Sequence, residues 1–214
     1  MKVPKYNLFI LYLTWYTFKV FCWIYFRASG KGYKNYPKKG PYLIAMNHNS
    51  LIDIPAMATA VNRPGYTMVK ASLFKIPVVG WWMRRIGFFP VKRGAGDRQA
   101  IENSRGILAR GDVLILAPEG TRHRKGESRP KVHSGIVRLA QEFDCPIIPV
   151  GVTGTRKILP PGAKVPRPFK LLVRIGEPIH LEKVEVTPKN QEILQRQAEM
   201  VMDKVYELSG DQFE

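Results

Sequence analysis

Tyr42-Leu43-Ile44-Ala45-Met46-Asn47-His48-Asn49-Ser50-Leu51-Ile52-Asp53-Ile54-Pro55 holds a strand, a turn and the start of a helix. Tyr42 to Met46 is an unbroken apolar run of strand length, as expected for a strand buried on both faces. Asp53 to Val61 reads as a helix with Pro55 in its first turn, where a missing amide hydrogen is tolerated. Strand ends that lead into helices are where open α/β sheets usually receive their ligands. His48 and Asp53 lie at such a junction, so they are the first candidates for chemistry.

Working outward, strand and helix signals alternate. Tyr66 to Val69, Phe88 to Lys92, Val113 to Ala117, Pro146 to Val152 and Leu171 to Ile175 read as strands. Phe74 to Arg85, Asp97 to Arg110, Ser134 to Glu142 and Lys189 to Leu208 read as helices, with Gly111 stopping the second. The alternation predicts an α/β fold with a largely parallel central sheet flanked by helices. Ala28 to Gly40 reads as a basic linker, and the proline- and cation-rich stretch Arg156 to Pro168 as a loop. Within it, Ile158-Leu159-Pro160-Pro161 fits either a membrane touch near the active site or a rigid surface turn. We divide the chain into an N-terminal helical anchor, residues 1–30, and one α/β domain, residues 31–214.

The anchor is the apolar, aromatic-rich run Leu8 to Phe26, flanked by Lys2 and Lys5 on one side and Arg27, Lys31 and Lys34 on the other. Its length approaches the ~20 residues that cross a bilayer as a helix. Its aromatics are scattered along it, whereas a spanning helix gathers them at its two ends. Asn7, Thr14 and Thr17 share one narrow helical stripe, and Lys19 lies away from it and must snorkel. A membrane-associating helix lying in the interface or dipping part-way in is therefore expected. A buried core helix and a cleaved signal peptide are the alternatives; for the latter the run is long and Ala28-Ser29-Gly30 is a poor cleavage site.

The chain of 214 residues carries 34 Lys and Arg against 17 Asp and Glu, a net charge of +17. Such a balance calls for a polyanionic neighbour, an anionic membrane surface or nucleic acid. Nucleic acid is disfavoured, since no helix-turn-helix, RNP-type strand or basic helix is visible. Two cysteines, Cys22 and Cys145, exclude a disulfide framework and fit a reducing compartment. His123, His133 and His180 have no metal-ligating spacing, so no metal is expected. Gly94 and Gly96 form only half of a dinucleotide fingerprint and read as turn residues.

The turn between His48 and Asp53 lets the carboxylate fold back to one ring nitrogen and leave the other free to accept a proton. The start of a helix favours that carboxylate as an anion. Such a pair is general-base equipment, although the spacing alone also fits a capping aspartate beside a structural histidine. Ser50 reads as the helix cap, Ser50-x-x-Asp53, and not as a nucleophile. Direct attack by an acceptor substrate is then the simplest mechanism. Pro118-Glu119-Gly120-Thr121-Arg122 follows an apolar strand and should open on the same sheet edge as His48. Arg122 is suited to a bidentate pair with phosphate. Lys70-Ala71-Ser72-Leu73-Phe74 and Gly87-Phe88-Phe89-Pro90-Val91-Lys92-Arg93 place further cations at strand ends.

Asn47-His48-x4-Asp53, the block Gly87 to Arg93, Glu119-Gly120-Thr121-Arg122 and Ile147-Ile148-Pro149-Val150 together resemble, in order and spacing, the glycerolipid acyltransferases, the 1-acyl-glycerol-3-phosphate acyltransferase family. The similarity runs from about Tyr42 to Ile179, and four ordered motifs are far more specific than any one. The resemblance implies that His48 is the general base and Asp53 its orienter. It implies that Lys70, Arg93 and Arg122 hold the acceptor's phosphate, with Thr121 in the same site. Glu119 and Gly120 would shape the glycerol pocket, and Pro149 would support the acyl-chain site. The donor would be an acyl-CoA or acyl-carrier protein, with no further cofactor and no covalent enzyme intermediate. The acceptor would be a lysophospholipid, 1-acyl-glycerol-3-phosphate first, with glycerol-3-phosphate or another lysolipid as the alternative. The reaction would run at the cytoplasmic face of a membrane. Outside the enzyme class, a nucleic-acid-binding module and an inactive membrane adaptor remain to be distinguished. Asn49 occupies a position that varies in the family and carries no expectation. After Arg122 the family often has Ser, whereas His123-Arg124-Lys125 continues here as a basic run, suited to a strongly anionic donor or head group or to a solvated loop.

Overall fold

The computed structural model describes residues 5–92, 96–122 and 128–211. Its strands are β1 (Ser29–Lys31), β2 (Tyr42–Met46), β3 (Tyr66–Lys70), β4 (Phe88–Val91), β5 (Val113–Leu116), β6 (Ile147–Thr153) and β7 (Leu172–Ile175). Its helices are α1 (Leu8–Tyr25), α2 (Asp53–Ala60), α3 (Pro77–Arg85), α4 (Arg98–Ala109), α5 (Gly135–Phe143), α6 (Thr155–Ile158) and α7 (Gln191–Ser209). The strands form one sheet in the order β1-β7-β6-β2-β5-β3-β4. β6, β2, β5, β3 and β4 run parallel, so their C-terminal ends share one edge. β7 is antiparallel to β6, and β1 pairs parallel with β7. The expected α/β fold with a largely parallel sheet is the one observed.

Both faces of the central strands are covered, which is why β2 is apolar at every position. Leu43, Ala45, Leu114 and Ile147 face a layer built from α4, α5 and α7. Tyr42, Ile44, Met46, Ile148 and Val150 face the opposite layer, with Cys22 and Phe26 at the end of α1 and Ala56 and Ala60 of α2. Each fully buried large aliphatic side chain contributes about 1.5–3 kcal/mol. The alternation along β2 therefore fixes its register, because a one-residue slip would exchange the two layers.

Two short elements were invisible in the sequence. β1 lies inside the stretch read as a linker; Ser29, Gly30 and Lys31 carry no apolar pattern and pair through backbone alone. α6 lies at the start of the predicted loop, and Ile158 at its end is fully buried.

α1 lies along the domain. Trp15 Nε1 donates to the Ala58 carbonyl at 2.8 Å, and Trp82 Nε1 donates to Thr14 Oγ1 at 3.0 Å. The polar stripe thus faces protein in part, and Lys19 Nζ lies 5.4 Å from the centre of the Trp15 ring. The outward face is exposed and apolar, with Phe9 at 76% and Trp23 at 68% exposure. Among the described residues α1 is the one helix long and apolar enough to cross a membrane. It is not a buried core helix, since only Leu11 and Cys22 along it are buried.

Candidate active site

The site is built on the C-terminal end of β2. Asn47 is buried, and its side chain copies a backbone ladder. Its Oδ1 accepts from the Val152 amide at 2.8 Å, and its Nδ2 donates to the Val152 carbonyl at 2.9 Å. The end of β2 is thereby stapled to β6. The chain then leaves the sheet through His48, Asn49 and Ser50 and enters α2.

Asp53 organises that turn. Its Oδ2 lies 2.8 Å from His48 Nδ1 and accepts from the Asn49 and Ser50 amides at 2.8 and 2.9 Å. The carboxylate side chain is 3% exposed, and the His48 side chain 22%. With Nδ1 held against a carboxylate, the imidazole carries its proton there and presents Nε2 as the acceptor. The expected fold-back of Asp53 is therefore seen. Ser50 does not cap α2 as expected. Asp53 itself takes the two free amides ahead of the helix, and the Ser50 hydroxyl instead donates to the Leu159 carbonyl at 2.9 Å. This contact makes the segment after α6 a buttress of the turn that carries His48.

The turn after β5 does open beside His48. Glu119 is 4% exposed, and its Oε2 accepts from the His48 backbone amide at 3.0 Å. Burial first of all, then the nearby charges of Asp211 and Asp53, push the Glu119 carboxyl up to about 7, while the His48 amide and Tyr206 act in the opposite direction. Glu119 thus turns inward and holds the His48 backbone. Gly120 has φ +68°, and a Cβ there would come within 3.3 Å of the His133 ring, so this turn requires glycine. Thr121 and Arg122 follow, both exposed.

Lys70 ends β3, exposed, with its Cα in register with Val91 of β4. Exposed Lys92 comes next in the chain. Arg93, Gly94 and the run His123-Arg124-Lys125 lie outside the described residues. With about 4.8 Å between neighbouring strands, β3 lies roughly 10 Å from β2 along the edge and β4 roughly 14 Å. His48, Arg122 and Lys70 therefore follow one another along one sheet edge.

On the other flank lie residues that sequence reading missed. Arg156 Nη2 donates to Asn49 Oδ1 at 2.8 Å. Asp211 Oδ2 accepts from Asn47 Nδ2 at 2.7 Å and from Asn49 Nδ2 at 3.2 Å. Asn49, which carried no expectation, joins both. An apolar cavity of about 60 Å³ lies beneath α1, lined by Leu11, Trp15, Phe18, Met57, Ile86 and Phe88 among others. Pro149 packs on the α7 side of the sheet, beside Gly176, away from this cavity.

A largely parallel sheet with a His–Asp pair at its C-terminal edge, and a glycine turn and cations on the neighbouring strands, defines an α/β enzyme-type domain suited to acting on an anionic substrate. The chain belongs to the Acyltransferase family, whose model matches residues 28–153. It is 27% identical over 166 residues to the chloroplastic 1-acyl-sn-glycerol-3-phosphate acyltransferase BAT2 of Brassica napus, covering 76% of this chain but only 48% of that protein. The chain thus spans about half the length of that relative. To the 1-acyl-sn-glycerol-3-phosphate acyltransferase of Bacillus subtilis it is 26% identical, covering 83% of this chain and 85% of the other. Its fold is similar to the crystal structure of the 1-acyl-sn-glycerophosphate acyltransferase PlsC from Thermotoga maritima, with a TM-score of 0.72 and 27% identity over 97% of this chain and 83% of that one.

Proposed function

We propose that the protein transfers an acyl chain from an acyl-CoA or acyl-carrier protein to the free hydroxyl of 1-acyl-glycerol-3-phosphate, giving phosphatidic acid. The observation that carries the reading is the His48 ring, held 2.8 Å from a buried Asp53 and still partly open to solvent. The names of the relatives supply the substrate class. His48 Nε2 takes the hydroxyl proton as the acceptor oxygen attacks the thioester carbonyl. The new ester C–O bond forms, the C–S bond breaks, and the leaving thiolate recovers the proton from the imidazolium. Asp53 stabilises that imidazolium and keeps the ring oriented.

Lys70, Arg93 and Arg122 hold the acceptor's phosphate, with Thr121 beside them. Glu119 and Gly120 shape the glycerol pocket through the turn they form. The apolar cavity under α1 supports seating the acyl chain on that side of the sheet. α1 lies in the membrane interface with its exposed face in lipid, on the cytoplasmic side, and the charge of +17 favours an anionic surface.

Purified protein and a His48→Ala variant, each given radiolabelled lysophosphatidic acid and acyl-CoA, test the reading. Wild type is expected to form phosphatidic acid, and the variant to fall by about 10²–10⁴-fold. Equal, background-level product from both would overturn it. Glycerol-3-phosphate, run in parallel as acceptor, is expected to react poorly.

A further inference from the structure

We propose that Asp211, beyond the end of the last helix, is a positioning residue for the acyl transfer: it fixes the two neighbours of His48, and the proposal rests on the reading of His48 as base. α7 ends at Gly210, whose φ of +70° turns the chain back toward the sheet edge. Asp211 Oδ2 there receives three donors, Asn47 Nδ2 at 2.7 Å, Asn49 Nδ2 at 3.2 Å and the Ser209 hydroxyl at 2.8 Å.

A count of hydrogen bonds indicates what Asp211 is needed for. Asn47 is 1% exposed and has two N–H donors; Val152 takes one and Asp211 takes the other. With Oδ1 committed to the Val152 amide, both donors and the oxygen of Asn47 are engaged. Asn49 divides in the same way, its carbonyl oxygen to Arg156 and its amide to Asp211. Asp211 therefore grips the catalytic turn immediately before and immediately after the base.

Its mount is rigid. Thr153 Oγ1 donates to the Ser209 carbonyl at 2.6 Å. Gly151 of β6 lies so close to Leu208 and Ser209 that a Cβ would come within 2.3 Å of the Ser209 nitrogen. The end of α7 thus rides on the same strand to which Asn47 is stapled. The Asp211 charge also bears on the Glu119 carboxyl, a like-charge arrangement that a simple helix terminus has no need of. Two amides flanking the base account for it. A displacement of the base by about 1 Å can cost 10²-fold in rate.

Steady-state kinetics of wild type, His48→Ala, Asp211→Ala, Asp211→Asn and Asp211→Glu, with melting temperatures alongside, test the assignment. Asp211→Ala is expected to lose about tenfold or more in kcat, with KM for lysophosphatidic acid changed by less than about twofold. Asp211→Asn retains an acceptor and is expected to recover most of kcat. Asp211→Glu keeps the charge but moves the oxygen by a methylene, and is expected to behave like Ala. If Asp211→Ala does not fold, the Asn and Glu variants carry the same contrast. A kcat within twofold of wild type in folded Asp211→Ala, a loss confined to KM, or a Glu variant equal to wild type beside a poor Asn variant would overturn the proposal.

A wild type no better than His48→Ala would instead sink the reading of the base. The ¹⁵N–¹H signature of the His48 ring, recorded without substrate, then decides on Asp211 alone. It is expected to be unchanged in Asp211→Asn and altered in Asp211→Ala; an unchanged signature in both would overturn the positioning role.

Discussion

The two flanks of His48 differ in what their polar side chains are doing. Toward β6, Asn47, Asn49, Arg156 and Asp211 bond to one another or to the strand, and the turn is braced from that side. Toward β5, β3 and β4, Arg122, Lys70 and Lys92 are exposed at strand ends. A buried, mutually satisfied network specifies geometry, whereas exposed cations on one edge offer charge to something outside the chain. The contrast divides the site into a frame that holds the His48 turn and a rim of exposed positive charge. Changes in the frame should therefore appear in kcat or stability, and changes on the rim in KM.

Asp53 should give the largest effect. Asp53→Ala removes both the charge and the acceptor that orients the ring, and kcat is expected to fall by about 10²–10⁴-fold. Asp53→Asn is more informative. The amides of Asn49 and Ser50 need an acceptor where Oδ2 stands, so the asparagine oxygen should occupy that place and still accept from Nδ1. The new amide group falls where Oδ1 lies buried without a donor. The tautomer is kept and the charge is lost. Asn should therefore be roughly tenfold better than Ala in kcat, while unfolding costs drop by about 1–3 kcal/mol for the unpaired amide. Equal kcat for the two variants would mean that charge, and not orientation, is the whole contribution.

Glu119, on the β5 side but buried and bonded to the His48 amide, belongs with the frame and tests it through pH. Its carboxyl is pushed from 4.5 up to about 7 in the folded protein, mainly by burial. Between those values the folded chain holds a proton that the unfolded chain has released, so stability falls as pH rises. Across the whole window the loss is roughly 3 kcal/mol. Denaturant midpoints measured from pH 4.5 to 8 should decline more steeply for wild type than for Glu119→Gln, which has nothing to titrate at this position. Parallel slopes would show that the carboxyl is not held in its neutral form.

How far the sequence reached follows the same division. β2 was legible to the residue, because a strand buried on both faces has no polar position to blur it. The Asp53 contact was legible because only a short turn separates it from His48, and the placement of Glu119 on the same edge followed from parallel strands. Asp211 was not, since a single polar residue far along the chain belongs to no period and announces no partner. The partners of Asn47 and Glu119 were opaque for another reason: each bonds to a backbone group, of Val152 and of His48, and every residue carries those. The Ser50 cap was only half right: the Ser50 amide does donate to Asp53, but the Ser50 hydroxyl turns to the Leu159 carbonyl, a partner far along the chain. The cations, by contrast, could be named from sequence, because Lys70, Lys92 and Arg122 stand exposed at or beyond strand ends, where charge is the expected residue type.

Arg122 is where the rim can be examined with the frame left intact. Its side chain is exposed, so replacement should cost little stability, typically within about 0.5 kcal/mol. A charge-assisted contact to phosphate contributes about 1.5–3 kcal/mol. Arg122→Ala should thus raise KM for lysophosphatidic acid by roughly tenfold or somewhat more, with kcat within about threefold of wild type. Arg122→Lys should recover only part of this, because an ammonium supplies charge without the fork that matches a phosphate. Added salt should narrow the gap between wild type and Ala, since exposed charges are screened over about 8 Å at physiological ionic strength. A loss in kcat at unchanged KM would place Arg122 with the frame and erase the division between the two flanks.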